Sequence, residues 1–394
     1  MRMLHTSDWH IGRTFHGVDL LADQAHSLAA IADLVAAESV DVVLVPGDVY
    51  DRSIPNADAI AVCNRGFEAI RAAGARIVAT SGNHDSAARL GAGASFAAAG
   101  GLHLLTTVAA VDRPVLLADE YGEVACYGIP YLEPEITRVE LGVPQARSHA
   151  EILAAAMGRI RADIAARGTP RAVVLAHAFV VGGEATGSER TIAVGGVETV
   201  PLSAFDGIDY VALGHLHSPQ TLSDSVRYSG SPLPYSFGES SHRKAVWLID
   251  LDAAGLRSVH RRDLPIVREL SRLTGTLDEL LTDAAHSAAE QHYVSAVLTD
   301  FARPVDGLRK LRARFPHIVH MEWQRPEGNP ELRYRERVHG RGDGEVAHSF
   351  LTDVRGAPTP GEVRWLEQAL TAAVRERPES REHPEHPVVQ EISA

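Results

Sequence analysis

Five short histidine and carboxylate motifs, four of them at the ends of short apolar runs, constrain this chain more than any other feature. They read Asp8-Trp-His10, Gly47-Asp48-Val-Tyr-Asp51, Gly82-Asn83-His84-Asp85, a lone His177 after Ala172 to Ala176, and Gly214-His215-Leu-His217. Oxygen and imidazole donors scattered over roughly two hundred residues meet only where a sheet brings its strand ends to one edge, the place where open α/β folds bind ligands. Seven of them, Asp8, His10, Asp48, Asn83, His177, His215 and His217, are too many for one ion. Two divalent cations about 3.5–4 Å apart, sharing a bridging carboxylate, would use the whole set, and such a pair is a standard device for hydrolysing phosphate esters.

Taken singly, each motif is weak. A lone histidine after an apolar strand, such as His177, is more often a satisfied core residue than a ligand. The order of the motifs, their strand-end placement and the glycine before three of them (Gly47, Gly82, Gly214) reverse that balance, because glycine lets a chain turn sharply or approach an ion closely. From residue 1 to residue 265, β-rich runs (Val40 to Val45, Arg76 to Thr80, Ala172 to Ala176, Asp209 to Leu213) alternate with Ala-rich helical segments such as Gln24 to Ala37 and His149 to Ala166. That alternation predicts a layered α/β domain of two facing sheets with helices outside. Residues 266–340 read as a smaller α+β unit: a strand near Val267 to Leu270, a helix Leu277 to Ala285, a strand Tyr293 to Leu298, a basic helix, and a strand Ile318 to Trp323.

The opening His5-Thr-Ser-Asp-Trp-His-Ile-Gly12, the stretch Asp209-Tyr-Val-Ala-Leu-Gly-His-Leu-His217 and the segment Tyr228-Ser-Gly-Ser-Pro-Leu-Pro234 resemble the calcineurin-like metallophosphoesterases, and among them the nuclease subunits of SbcCD-type DNA repair complexes. The likeness covers about the first 250 residues and thins afterwards. It implies that one ion takes Asp8, His10, Asp48 and His217 and the other Asp48, Asn83, His177 and His215, with Asp48 as the bridge, and that both ions are Mn²⁺. Histidine and carboxylate ligands without cysteine suit manganese, iron or zinc on chemical grounds as well. By family position His84 is expected to face the scissile phosphate as a catalytic group, and Asp51 to accept a hydrogen bond from its ring and orient it. Asp85 reads as a loop carboxylate capping neighbouring backbone amides. The resemblance also places 266–340 over the metal cleft as a capping domain. It implies a Mn-dependent exonuclease on duplex DNA ends and endonuclease on single-stranded or hairpin DNA, serving repair, recombination and replication as a homodimer within a heterotetramer with an SbcC-like ATPase. Two competing readings are a small-molecule or phosphoprotein phosphoesterase on the same scaffold and a non-catalytic scaffold; the intact donor set speaks against the latter.

With 394 residues and 45% hydrophobic content, the chain can bury a large core. No apolar stretch approaches the roughly 18 residues that cross a bilayer, and the start runs straight into a motif strand, so a soluble, cytoplasmic protein is expected. Cys63, in a helical stretch, and Cys126, in a strand, read as buried thiols. A net charge of −13 argues against holding nucleic acid by bulk electrostatics. Yet Ala302 to Gly344 carries ten Lys or Arg against six Asp or Glu, including Arg309, Lys310, Arg312 and Arg314 around an apolar stripe of Leu308, Leu311 and Phe315. A solvated helix face and a DNA-contacting one fit that pattern equally.

Residues 341–377 read as a helix-loop-helix. Val346, Phe350 and Val354 recur on one segment and Val363, Leu366, Leu370 and Ala373 on the next, separated by Gly356-Ala-Pro-Thr-Pro-Gly361, which cannot continue a helix. A pair this small must dock on something, and the resemblance implies the base of the ATPase's coiled coil; docking on its own domain is the alternative. Residues 378–394, rich in Pro, Glu and His, read as a disordered tail in which His383 and His386 are solvated.

Overall fold

The apolar runs become strands buried on both faces. The structure, a computed structural model, describes residues 1–168, 170–186, 189, 199–324 and 340–375. One six-stranded sheet runs, edge to edge, Gly255–Asp263, Ala245–Asp252, Arg2–His5, Val42–Pro46, Arg76–Thr80, Leu102–Leu104. A second runs Gln220–Thr221, Val226–Tyr228, Tyr210–Gly214, Arg171–His177, Gly122–Ile129, Val115–Asp119. The motif-bearing strands are parallel within each sheet. His5 lies opposite Leu44, Pro46 opposite Thr80, and His177 opposite Gly214, so these strands end level with one another.

The sheets pack face to face through Met3, Val42, Leu44 and Val78 on one side and Cys126, Val173, Leu175 and Tyr210 on the other. Each fully buried aliphatic side chain of this kind contributes about 1.5–3 kcal/mol. Helices Leu21–Ala37 and Ala57–Ala72 cover the outer face of the first sheet with Leu28, Ile31, Cys63 and Phe67. Helix His149–Ala166 covers the second with Ile152, Ala156 and Ile160. The starts are locally encoded: the Asn56 side chain accepts from the Ala59 amide, and Ser148 with Glu151 closes a capping box. The expected two-sheet architecture with outer helices is the observed one, and both cysteines are buried free thiols.

By its internal contacts the chain forms two units: Met1–Arg272 with Ala288–Ser295 and His317–His320, and Leu273–Ser287, Ala296–Pro316 and the residues from Met321 onwards. The strand expected at Val267 to Leu270 lies instead at Leu270–Gly275. Val267 packs with Phe15, Leu20, Leu233 and Phe237, so its apolar side chain serves a cluster and not a ladder. The helix expected to reach Ala285 ends at Thr282 and resumes as a 3₁₀ segment, Ala284–Gln291. Strands Tyr293–Leu298 and Ile318–Trp323 fall where expected.

In the second unit the basic helix is Gly307–Arg314, with Leu311 and Phe315 buried and Leu308 half-buried. Arg309, Lys310 and Arg312 are exposed, whereas Arg314 donates to the Leu280 carbonyl (3.0 Å) and the Ser287 hydroxyl (3.3 Å). Residues 325–339 of the basic stretch lie outside the described residues. Helices Asp343–Arg355 and Pro360–Arg375 pack on each other, the second opened by reciprocal bonds between Thr359 and Glu362. Val346, Val363, Leu366 and Leu370 are half-buried, but Phe350 remains 53% and Trp365 74% exposed, and Ala373 is exposed too. The Val354 side chain and the expected disordered tail lie outside the described residues. No helix among the described residues is long and apolar enough to cross a membrane.

Candidate metal centre

The loops that follow the parallel strands are held in a conformation that residues with side chains rarely adopt. Asp8 (φ 54°), His10 (φ 45°), Asp48 (φ 50°) and His215 (φ 112°) all have positive φ, a cost of order 1–3 kcal/mol each that persists only where the surroundings impose it. The loops impose it on one another: the Asp8 amide donates to the Gly47 carbonyl (3.2 Å) and the His10 amide to the Asp48 carbonyl (2.9 Å). Asp85 accepts from the amides of Val49, Tyr50 and Gly82 at 2.9–3.1 Å, clamping the Asp48 loop to the Asn83 loop in the capping role read from the sequence. Gly47 and Gly82 are required by closeness. A Cβ on Gly47 would lie 2.5 Å from His177 Nδ1, and one on Gly82 2.1 Å from Asp48 Oδ1.

On this frame the donor atoms converge. His10 Nε2 and His217 Nε2 are 3.0 Å apart, and with Asp8 they form one compact group. His177 Nε2 lies 2.9 Å from Asn83 Oδ1 and, with Asp8 and Asp48, forms a second. Asp48 Oδ2 stands between the groups, 3.5 Å from His10 Nε2 and 3.4 Å from His177 Nε2. His215 joins from the side: its amide donates to Asp8 Oδ1 (2.9 Å) and its ring is edge-on to that of His177. All seven expected donors are thus brought to one place. Nitrogens each about 2.1 Å from one ion at right angles would be about 3.0 Å apart, so the spacing suits shared ligation.

Two of the rings have their tautomers fixed by backbone carbonyls. His177 Nδ1 faces the Pro46 carbonyl at 2.9 Å; a carbonyl only accepts, so Nδ1 carries the proton and Nε2 is left as the ligand atom. His10 Nδ1 is buried without a hydrogen-bond partner, with Asp51 Oδ1 3.5 Å away. His84 Nδ1 donates to the Asp51 backbone carbonyl (2.8 Å), while the Asp51 carboxylate stays 3.9 Å from it. Asp51 therefore does orient the His84 ring, but through its main chain, and its carboxylate is nearer to His10 and to Arg13 (3.7 Å).

The electrostatics favour cations. Burial pushes the Asp8 carboxyl up to about 7, and Asp48 beside it adds to the rise. Burial opposes charge on Asp48 as well, but His177 and His10 hold it well below the usual carboxylate range. Burial also disfavours the charged form of His177, yet Asp48 and Asp8 lift its pKa to about 9. His10, His215 and His217 are kept neutral by burial, His215 down to about 3. Three neutral imidazoles, two carboxylates and an amide oxygen fit a pair of divalent ions of the manganese, iron or zinc kind, and ligation by His177 would replace its proton.

Several neighbours that the sequence does not mark as donors support the site. The Ser7 hydroxyl donates to Asp8 Oδ2 (2.5 Å) and meets the Ser229 hydroxyl (2.8 Å). Gln24 donates to the His10 carbonyl (2.8 Å), and the Tyr235 hydroxyl donates to the Trp9 carbonyl while its ring packs against those of His10 and His217. His5 ties the sheets just below the site: Nε2 donates to the Leu213 carbonyl (3.0 Å) and Nδ1 accepts from Tyr210 Oη (2.9 Å). Burial lowers its pKa to about 3. Below pH about 6.5 the unfolded chain gains a proton there that the folded chain does not, so stability is lost as pH falls from about 6.5 towards 3. His5→Gln should remove up to about 1.4 kcal/mol per pH unit from that slope, read as denaturant midpoints between pH 7.5 and 5; parallel slopes for the two chains would contradict the neutral assignment.

The calcineurin-like phosphoesterase family model matches residues 1–219. A Staphylococcus epidermidis protein, named as the D subunit of the nuclease SbcCD, is 28% identical over 321 residues, covering 81% of this chain and 84% of that protein. Among solved structures, TT1561 of Thermus thermophilus overlaps with a TM-score of 0.40 at 14% identity, covering 66% of this chain and 98% of that one. A dimetal phosphatase from Danio rerio overlaps with a TM-score of 0.39 at 12% identity, covering 67% and 96%. Overlaps that loose do not bear on the chemistry.

Proposed function

The chain belongs to the calcineurin-like phosphoesterases, and from that premise we propose that it is a two-metal DNA phosphodiesterase, the nuclease subunit of an SbcCD-like complex. The observation that carries the chemistry is Asp48 Oδ2, poised between two donor groups at 3.5 and 3.4 Å from their imidazoles. Asp8, His10, Asp48 and His217 would hold one ion, and Asp48, Asn83, His177 and His215 the other, with Mn²⁺ as the native metal. When bound, the pair supplies Lewis acidity, lowering the pKa of water and neutralising charge on phosphoryl oxygens. The chain's own part is to hold neutral imidazoles and carboxylates in place and to move one proton. His84 has Nδ1 committed to the Asp51 carbonyl, which leaves Nε2 to exchange a proton with the departing oxygen. Asp51 fixes that tautomer and ring direction.

DNA as the substrate is supported by the named nuclease relative, which matches most of both chains. Cleavage of duplex ends and of single-stranded or hairpin DNA belongs to this proposal, as does a homodimer joined to an SbcC-like ATPase. Residues 266–340 would cap the active site, and 341–377 would bind the ATPase; the exposed Phe350 and Trp365 on that helix pair support the latter. A net charge of −13 argues against holding DNA by bulk electrostatics, and a small-molecule or phosphoprotein substrate is the competing reading, so one assay is decisive. The purified chain is given duplex DNA, single-stranded DNA and a phosphomonoester, with and without Mn²⁺. Faster turnover of the monoester would overturn the nuclease reading. A chain truncated after Gly340 should keep its metal-dependent cleavage but fail to co-purify with the ATPase or respond to ATP, since every candidate ligand lies at or before His217. An ATP-responsive complex formed by the truncated chain would place the partner surface elsewhere.

A further inference from the structure

We propose that the buried Lys244–Glu239 pair is a positioning device for His217 that sets metal affinity at one of the two sites, the one containing Asp8, His10 and His217; this rests on the two-ion reading. Lys244 is 7% exposed and its ammonium has three hydrogens, each with an acceptor. One goes to the His217 carbonyl (2.8 Å), one to the Ser231 hydroxyl (2.9 Å) and one, in a short bond, to Glu239 Oε2. Glu239 Oε1 accepts from the Tyr235 amide (3.2 Å) and lies 3.9 Å from His217 Nδ1. The pair thus bonds directly to the main chain of His217, while its carboxylate, 3.9 Å from the ring, is too far to hydrogen-bond it and acts on it through charge and packing alone. Fixing the main chain that carries a ligating imidazole fixes the direction in which the ring meets its ion.

The surrounding loop carries the same influence to Asp8. The Ser231 amide donates to the His217 carbonyl (3.2 Å), and a Cβ on Gly230 would lie 2.6 Å from that oxygen. Ser229, next to it, meets Ser7, whose hydroxyl is bonded to Asp8. One end of this network touches His217, which belongs to one donor group only; the other touches Asp8, assigned to the same ion though within reach of both groups. His177 and Asn83 are fastened separately, through Pro46 and the Asp85 clamp. Stability alone does not account for the arrangement, because a buried ion pair is often no better than apolar side chains of the same size. Its placement against the back of a ligand does.

The test is calorimetric titration of the metal-free full chain with Mn²⁺. Glu239→Gln alone would strand the ammonium, so the variant of choice is Lys244→Met with Glu239→Gln, which removes both charges of the pair and keeps an acceptor for the Tyr235 amide. We expect a folded protein by circular dichroism in which one of two Mn²⁺ sites is weakened by about 10–100-fold and the other is unchanged. Two sites of wild-type affinity in that variant would overturn the proposal, as would equal weakening of both. A wild-type chain that takes up fewer than two ions would instead overturn the two-ion reading on which it rests. If the double variant does not fold, Ser231→Ala carries the test: it withdraws one acceptor from the ammonium and should weaken the same site severalfold, and unchanged binding there would overturn the assignment.

Discussion

Asp48→Asn should abolish metal-dependent cleavage to the background of the assay while leaving the fold intact. The Asp48 carboxylate is placed against an imidazole of each donor set, and its removal takes charge away from both ions at once. The substituted amide would also turn N–H groups towards imidazole nitrogens that must ligate. The fold should survive because Asn is nearly isosteric and can still accept from the His84 amide at the position of Oδ1, now 2.9 Å away. With no metal present, burial opposes charge on both groups, yet Asp48 and His177 hold each other in their charged forms, so near neutral pH their pair contributes stability that the variant loses, offset only in part by relief of the Asp8 carboxyl. In chelator the variant should therefore melt lower than the wild type while remaining folded. Mn²⁺ should raise the melting point of the wild type and not of the variant. Cleavage by D48N at more than a small fraction of the wild-type rate would rule out Asp48 as the bridge.

What the sequence reveals and what it hides divide along physical lines. Strand ends are legible because apolar runs and the residues after them are local: Arg76–Thr80 and His149–Ala166 have the bounds their patterns predict. Ligand types are legible because so few side chains can hold a cation. The glycines are legible as points of close approach, though only the structure says that Gly47 makes room for His177 and Gly82 for Asp48. The rest depends on contacts that no local pattern encodes. Positive φ at Asp8, His10, Asp48 and His215 is not specified by residue type, although Asp and His tolerate it better than most side chains. Lys244 and Glu239 look like surface charges in a polar stretch, and only the turn Ser229-Gly230-Ser231 folding over His217 makes them neighbours of a ligand. The expected hydrogen bond from His84 to the Asp51 carboxylate is not the one formed. The ring is instead held by the Asp51 carbonyl, because the loop that carries it passes directly behind His84.

His84→Ala should separate chemistry from metal binding. The structure leaves a choice, since His84 with His10 and Asp48 also forms a group close enough to hold an ion. Three observations favour a catalytic role. Its Nδ1 is committed to a carbonyl, so only Nε2 can act; its ring stands edge-on to that of His10, 4.6 Å between centroids; and the seven other donors already form two groups without it. The contribution of His84 to the frame is its amide, which donates to Asp48 Oδ1, and alanine keeps that bond. The variant should therefore bind two Mn²⁺ per chain by elemental analysis, with affinities close to the wild type, while DNA cleavage falls by about 10²–10⁴ through the loss of a proton donor. A second readout distinguishes donor from placeholder. A substrate whose leaving group is a nitrophenolate needs no proton to depart, so H84A should lose far less activity on bis(4-nitrophenyl) phosphate than on DNA. Equal losses on both substrates would mean that His84 stabilises charge without transferring a proton, and loss of an ion would make it a ligand.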